Sequence, residues 1–403
     1  MTMLGAGADV WRRAPQVGRQ LAGALLLALT LLPVKSHSLG AQAGTVPPRA
    51  STAPATNDSL TAREFAALVD RLSAPSGYFD TDNLISNESS YLHPLTILDR
   101  LGVRGGAYVG VGPDQNYSYM ARVRPRIAFL VDIRRDNMLH HLLLKALFAA
   151  SRNRAEYLAL WLGKPVPADV ASWSDRELEA LVTWAGSARV TTETGDAAVR
   201  AVRERVTRFG IPLSEADLST IERFHRTFIG QGLRLQFTSA GRSPRDYYPT
   251  LGELITQRDL VGQRASYLAR EADFQFLKGL HARNLVVPIV GDLAGPKALN
   301  AIAAELRRRG EVVSVLYTSN VEDYLIRDGR FPYYADALAT LPRNARSVII
   351  RSWFGGPMSH PASVQGYYTT QLVQTMESFV TDPAVPNVRT YRELVNRRYV
   401  ERE

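Results

Sequence analysis

Residues 105–136 read GGAYVGVGPDQNYSYMARVRPRIAFLVDIRRD, and the order of residue types in this stretch decides the fold. Tyr108, Val109 and Val111 suit a buried strand, and Gly110 and Gly112 let the backbone turn with no Cβ in the way. A short helix is expected next, then a second apolar run from Ile127 to Val131 that Asp132 closes. In doubly wound α/β folds a small ligand lies across the first turn. An acidic side chain ending the second strand accepts hydrogen bonds from ribose hydroxyls. Asp132, 20 residues past Gly112, occupies that place. The unit implies a nucleoside-containing ligand without naming a reaction. In the turn itself, backbone N–H groups with Asp114, Gln115 and Asn116 would hold a polar ligand at a helix N-terminus. The alternative is a tight turn whose Asp or Asn only caps the helix.

Upstream lies Phe79-Asp80-Thr81-Asp82-Asn83-Leu84-Ile85-Ser86-Asn87-Glu88, a polar loop that would fold over the ligand. Its candidate substrate contacts are Asn83, Asn87 and Glu88, with Tyr91 on the helix that follows; Ser86 or Asn87 could instead serve as a helix cap. Asp80 and Asp82 alternate like calcium ligands, but the glycine and closing glutamate of such a loop are absent. Downstream, Asp132 would meet a ribose and Arg134 would pair with a carboxylate or phosphate. A helix over 137–150 follows.

Residues 152–283 look helical throughout, with amphipathic stretches at 154–162, 174–186, 196–208, 214–230 and 263–281. The α/β pattern then resumes. Leu285 to Val290 reads as a strand ending in Gly291-Asp292, and Pro296 to Arg309 as a helix stopped by Gly310. Val312 to Tyr317 and Ser347 to Arg351 read as two more strands. Strands alternating with helices argue for a mostly parallel, Rossmann-like α/β sheet, split by a helical insertion. The expected division is 59–151 and 284–403 for the two parts of the α/β domain and 152–283 for the insertion. Ser59 is the expected cap of the first helix.

The N-terminus has a different character. Arg12, Arg13 and Arg19 precede an apolar run from Leu21 to Leu32, and Ala41-Gln42-Ala43 offers a small-residue cleavage site. That order describes a secretory signal peptide over 1–43, followed by a Pro/Ala/Ser/Thr-rich linker over 44–58. A periplasmic address is expected, with an uncleaved anchor or a cytoplasmic chain as alternatives and no stable membrane span after signal removal. The chain carries a net charge of +9, and the segment 1–43 holds four basic residues and one acidic. The remaining excess is scattered arginine rather than a basic stripe with interleaved aromatics, so nucleic acid is not an expected partner. The chain has no cysteine, which excludes disulfides, thiolate metal sites and a cysteine nucleophile. His140-His141 and His225 lack a chelating spacing, and no G-x-S-x-G elbow marks a hydrolase.

The order of these pieces resembles the class I S-adenosylmethionine-dependent methyltransferase fold over roughly 77–151 and 284–375. It is also similar to a bacterial, methyltransferase-like family that shares the phrases FDTDNLISNE, GVGPDQN and VDIRRDN. The resemblance implies S-adenosylmethionine as cofactor, with Gly110, Gly112, Asp114 and Asn116 in the turn beneath its methionine part. It implies Asp132 at the ribose with Arg134 beside it, Asp292 near the adenine, and Asn320 and Glu322 at the methyl acceptor. The sequence departs from the pattern where Asp114 replaces the usual third glycine and where no Asn-Pro-Pro signature stands in Thr318 to Glu322. Two functions stay open: a methyltransferase-like protein binding S-adenosylmethionine or a related nucleoside, and an exported, non-enzymatic binding or scaffold protein that retains the fold. A dinucleotide enzyme ranks below both, because its third glycine would fall at Gln115.

Overall fold

Two short helices lead into the sheet. Thr61 caps α1 (Ala62–Leu72) through a capping box with Glu64, so the cap lies two residues past Ser59. Helix α2 (Pro94–Arg100) precedes β1 (Ala107–Gly110). Then come α3 (Gln115–Val123), β2 (Ile127–Asp132) and α4 (Arg135–Ala150). These belong to a computed structural model that describes residues 59–240 and 242–402; the signal peptide and linker expected over 1–58 lie outside the described residues.

Six helices separate β2 from the next strand after α4: α5 (Arg154–Trp161), α6 (Leu178–Ser187), α7 (Thr192–Val206), α8 (Glu215–Gln231), α9 (Leu251–Ile255) and α10 (Glu271–Ala282). The last begins at Glu271 rather than 263. The turn before it is pulled out of helix by Tyr267, whose N–H donates to Ser118 Oγ and whose hydroxyl donates to Asp114. The sheet resumes with β3 (Val286–Val290), α11 (Ala298–Arg309), β4 (Val313–Ser319), α12 (Val321–Arg327), α13 (Phe331–Ala339) and β5 (Val348–Trp353). It ends with β6 (Thr370–Thr375), α14 (Met376–Val380) and α15 (Tyr391–Val395).

The strand order is β3-β2-β1-β4-β5-β6, parallel from β3 to β5, with β6 antiparallel to β5. This is the doubly wound order, a mostly parallel α/β sheet with one antiparallel edge strand. The parallel strands are buried along nearly all their length, and β2 and β3 therefore read as near-continuous apolar runs. One strand escaped the sequence reading. Thr370 to Thr375 reads TQLVQT, with only Leu372 and Val373 apolar, and its glutamines are buried in a polar network rather than exposed. Chain order reverses on either side of β1: the strands after β1 run outward to β2 and β3, and the chain then returns to β4 on the other side. That switch point places a cleft at the carboxyl ends of β1 and β4.

Candidate functional site

A cavity of about 290 Å³ lies over the carboxyl ends of β1 to β4. Its floor is the Gly112-Pro113 turn after β1. Asp132 stands at the tip of β2, Gly291 to Leu293 follow β3, and Ser319-Asn320 follow β4. Gly112 has φ +78°, and a Cβ there would stand 3.5 Å from Asn83 Nδ2 on the opposite side of the cleft. Glycine therefore keeps both the backbone turn and the space above it open.

Asn116 shapes this turn from behind. It is fully buried; its Nδ2 donates to Val111 O at 2.8 Å and Pro113 O at 2.6 Å, and its Oδ1 accepts from Tyr108 OH at 2.7 Å. Gly110 lies under the same staple, where a Cβ would fall 2.1 Å from Asn116 Oδ1. His141 braces the other side: Nε2–H donates to Gly112 O at 2.9 Å, and Nδ1 accepts from Tyr117 OH at 3.0 Å. Burial lowers this imidazole to about 4, so it is neutral there.

Five of the expected contacts do not line the cavity. Asn116 and Gly110 face the interior, as just described. Asp114 turns to Tyr267, whose hydroxyl donates to it at 3.1 Å, and burial pushes its carboxyl up to about 6. Tyr91 is buried against the helical segment, donating to Leu254 O at 2.9 Å. The fifth, Glu322, is buried in an ion pair with Arg351 behind the site. For Asn116, Asp114, Tyr91 and Glu322, tertiary packing claims the polar atoms that sequence spacing had assigned to a ligand.

Asp132 and Arg134 do face the cavity, and they hold each other. Asp132 accepts the Arg134 backbone N–H at 2.9 Å, Nε at 3.0 Å and Nη2 at 2.9 Å. The same guanidinium donates to Thr81 O, tying the polar loop over the tip of β2. A carboxylate has about four acceptor sites, so Asp132 retains capacity for one further donor. Asp292 pairs with Arg330 and accepts the Ala294 N–H at 2.9 Å.

Glu88 forms the inner wall. It is fully buried and accepts from Tyr317 OH at 2.7 Å, from Gln371 Nε2 at 2.9 Å and from Ser319 Oγ. Gln115 extends the network by donating to Tyr317 OH at 2.8 Å. Burial raises the Glu88 carboxyl above its usual range despite these donors, and no cation pairs with it among the described residues. The network holds Ser319 at φ +51°, a conformation that costs a non-glycine residue energy and tends to collect at working sites.

A second chamber of about 520 Å³ adjoins the first. Phe79, Asn83, Asn87, Ser319, Asn320 and Tyr324 line both. The expected contacts Asn83, Asn87 and Asn320 thus stand where the chambers meet. Tyr247 and Tyr368 stack on one side of the second chamber, ring centroids 3.6 Å apart and 14° from parallel. Tyr247 comes from the irregular chain between α8 and α9, Tyr368 from the loop before β6.

The fold and cleft define a doubly wound α/β protein with a cavity at the switch point of its sheet. A family model described as a domain of unknown function (DUF7790) matches residues 84–208 and 237–402, and the chain belongs to that family. The matched residues include the glycine turn, all six strands and the arginines and tyrosines of the second chamber. No curated protein matches the chain.

Sequence reasoning named Gln115 in the turn, and the residue does line the first chamber, but it missed Ser319, Arg330 and most of the second chamber. Ser319 sits one residue from Asn320, which it chose. The deciding signal, backbone conformation at β4's end, is not written in residue type. Among the described residues no three His, Asp or Glu side chains converge as a metal site, and no helix is long and apolar enough to cross a membrane.

Proposed function

We propose that this chain binds S-adenosylmethionine, or a closely related nucleoside, in the first chamber and transfers its methyl group to an acceptor held in the second. The single observation that carries this reading is the cavity over the ends of β1 to β4, with a positive-φ glycine at its floor and Asp132 at the tip of β2. When bound, the cofactor supplies an electrophilic sulfonium methyl. The chain's own residues would do the positioning.

The residues present fit such a ligand in three respects. Gly112 takes up the φ of +78° that the turn at the floor needs and adds no side chain to the cavity. Asp132 keeps one free acceptor site for a ribose hydroxyl, making a single contact rather than a pair while Arg134 holds its other sites. Tyr78, Phe79, Ile133 and Leu293 offer apolar walls for a flat base, with Asp292 at the edge. Methyl transfer needs in-line approach more than proton transfer, so orientation by Asn320, Asn83 and Asn87 at the junction of the chambers is the expected contribution. Glu88 would hold Ser319 in place and accept a proton only if an acceptor reaches it.

A second reading is favoured by the N-terminal sequence. The basic start, apolar run and Ala41-Gln42-Ala43 describe export, and S-adenosylmethionine is made in the cytosol. A periplasmic chain would then keep the fold for another ligand without methyl transfer.

Isothermal titration of the full chain with S-adenosylmethionine and S-adenosylhomocysteine tests both readings, with Asp132→Asn as the variant. The expected result is micromolar binding that weakens at least tenfold in the variant, while thermal melting shows both proteins folded. No heat at millimolar ligand overturns the cofactor reading and leaves the exported binding protein.

A further inference from the structure

The second chamber carries a chemical signature that the cofactor reading does not use. Its walls are aromatic and its unbalanced charge is positive. Arg327 is matched by Asp323. Arg245 and Arg392 are exposed at the chamber and pair with no carboxylate among the described residues; Arg245 instead donates to Tyr247 OH at 2.6 Å and lies 5.8 Å from that ring's centroid. An arginine held against a tyrosine edge keeps part of its donor fork free for an anion and reduces the entropy lost when one binds.

The aromatic side chains are only partly covered. Phe79 and Tyr324 are each 38% exposed and meet edge to face, with centroids 5.2 Å apart, at the wall common to both chambers. Partly covered rings facing a cavity favour a planar apolar partner, because each can stack or present an edge to it. The Tyr247–Tyr368 stack brings together the helical segment and the β5–β6 loop, so the same rings that would meet a ligand also close the chamber.

The two features have a direction. Arg245 and Arg392 line only the second chamber, whereas Phe79, Tyr324, Ser319 and Asn320 line both. We infer that the second chamber binds a planar aromatic anion, with its carboxylate or equivalent anionic group at Arg245 and Arg392 and its opposite end at the junction beside Asn320. This deepens the methyltransferase reading and rests on it for the identity of the bound molecule as acceptor: the end at the junction is the one that would present an oxygen or nitrogen to the first chamber.

The binding claim can be tested without any turnover. The full chain, free of added cofactor, is titrated with 4-hydroxybenzoate, which has a ring, an anion and an opposite hydroxyl. Phenol lacks the anion, and cyclohexanecarboxylate lacks the flat ring. Trp353, which lines the chamber, gives an emission signal alongside the calorimetric one. The expected result is that 4-hydroxybenzoate binds at least tenfold more tightly than either control. The Arg245→Ala/Arg392→Ala double variant should lose that advantage while binding S-adenosylmethionine as the parent does. Both arginines are exposed, so the double variant is expected to fold, and its melting temperature checks this. Equal affinity for the three probes, or an unchanged preference in the double variant, overturns the inference. Probe binding without cofactor binding supports the chamber's ligand class while the cofactor reading fails. Cofactor binding without probe binding does the reverse.

Discussion

Asp114 shows how a residue chosen for one role is taken by another. Sequence spacing put it at the ligand; the fold buries it against Tyr267, with the carboxyl raised from 3.8 to about 6. Burial disfavours the charged form more than the tyrosine hydroxyl favours it. A raised carboxyl binds a proton more tightly in the folded chain than in the unfolded one. Its stabilising contribution is therefore full below about pH 3.8 and is lost as pH rises through about 6. The loss is on the order of 2–3 kcal/mol. Asp114→Asn keeps an oxygen for the tyrosine and removes the titration. The variant should gain stability relative to the parent between pH 4 and pH 7 and hold that gain above, as read by chemical denaturation across that range. Parallel stability curves for the two proteins would show that Asp114 is not held in its neutral form.

At the scale of elements, the βαβ unit from β1 to β2 was legible because its signals are local. Two glycines fix the turn, and continuous apolar runs mark strands covered on both faces. Strand β6 was not legible, because its register depends on partners far away in sequence: Gln371 meets Glu88 and Ser352, and Gln374 accepts from Arg351. The same contrast separates the two chambers. The first is built from strand ends that sequence pattern locates, the second from loop residues brought together only by folding. Gly112 belongs to the legible part and its role can be isolated. An alanine at φ +78° costs about 1–2 kcal/mol in backbone strain alone. Gly310, which ends α11 at φ +67° with no atom near its Cβ position, supplies the same strain far from the cleft. Gly112→Ala and Gly310→Ala should lower the melting temperature to a similar extent, and only Gly112→Ala should weaken nucleoside binding by titration. Equal binding in both would remove Gly112 from the floor of the site.

At the scale of the molecule, the helical segment between β2 and β3 reads from sequence as an insertion with its own pattern, yet its core is continuous with that of the sheet. Three polar seams join them. Tyr267 binds Ser118 and Asp114 on α3 and its turn, and Tyr91 binds Leu254. Lys145 on α4 donates to His281 O from a buried position, where burial lowers its ammonium to about 7. Buried polar groups of this kind are costly when left unpaired, so neither part can leave without exposing the other's unsatisfied atoms. Arg154 reinforces the segment internally, giving hydrogen bonds to Leu268 O, Ala269 O, Ser174 O and Arg176 O and pairing with Glu271. A segment so joined should unfold with the sheet rather than before it. Tryptophan reports mainly on this segment, which holds Trp161, Trp173 and Trp184, whereas far-ultraviolet circular dichroism reports on all helices and strands. Thermal unfolding followed by both probes should give coincident midpoints, the mark of one cooperative unit. An earlier tryptophan transition would make the segment an independent lid. The stacked tyrosines that close the second chamber would then open and close with it.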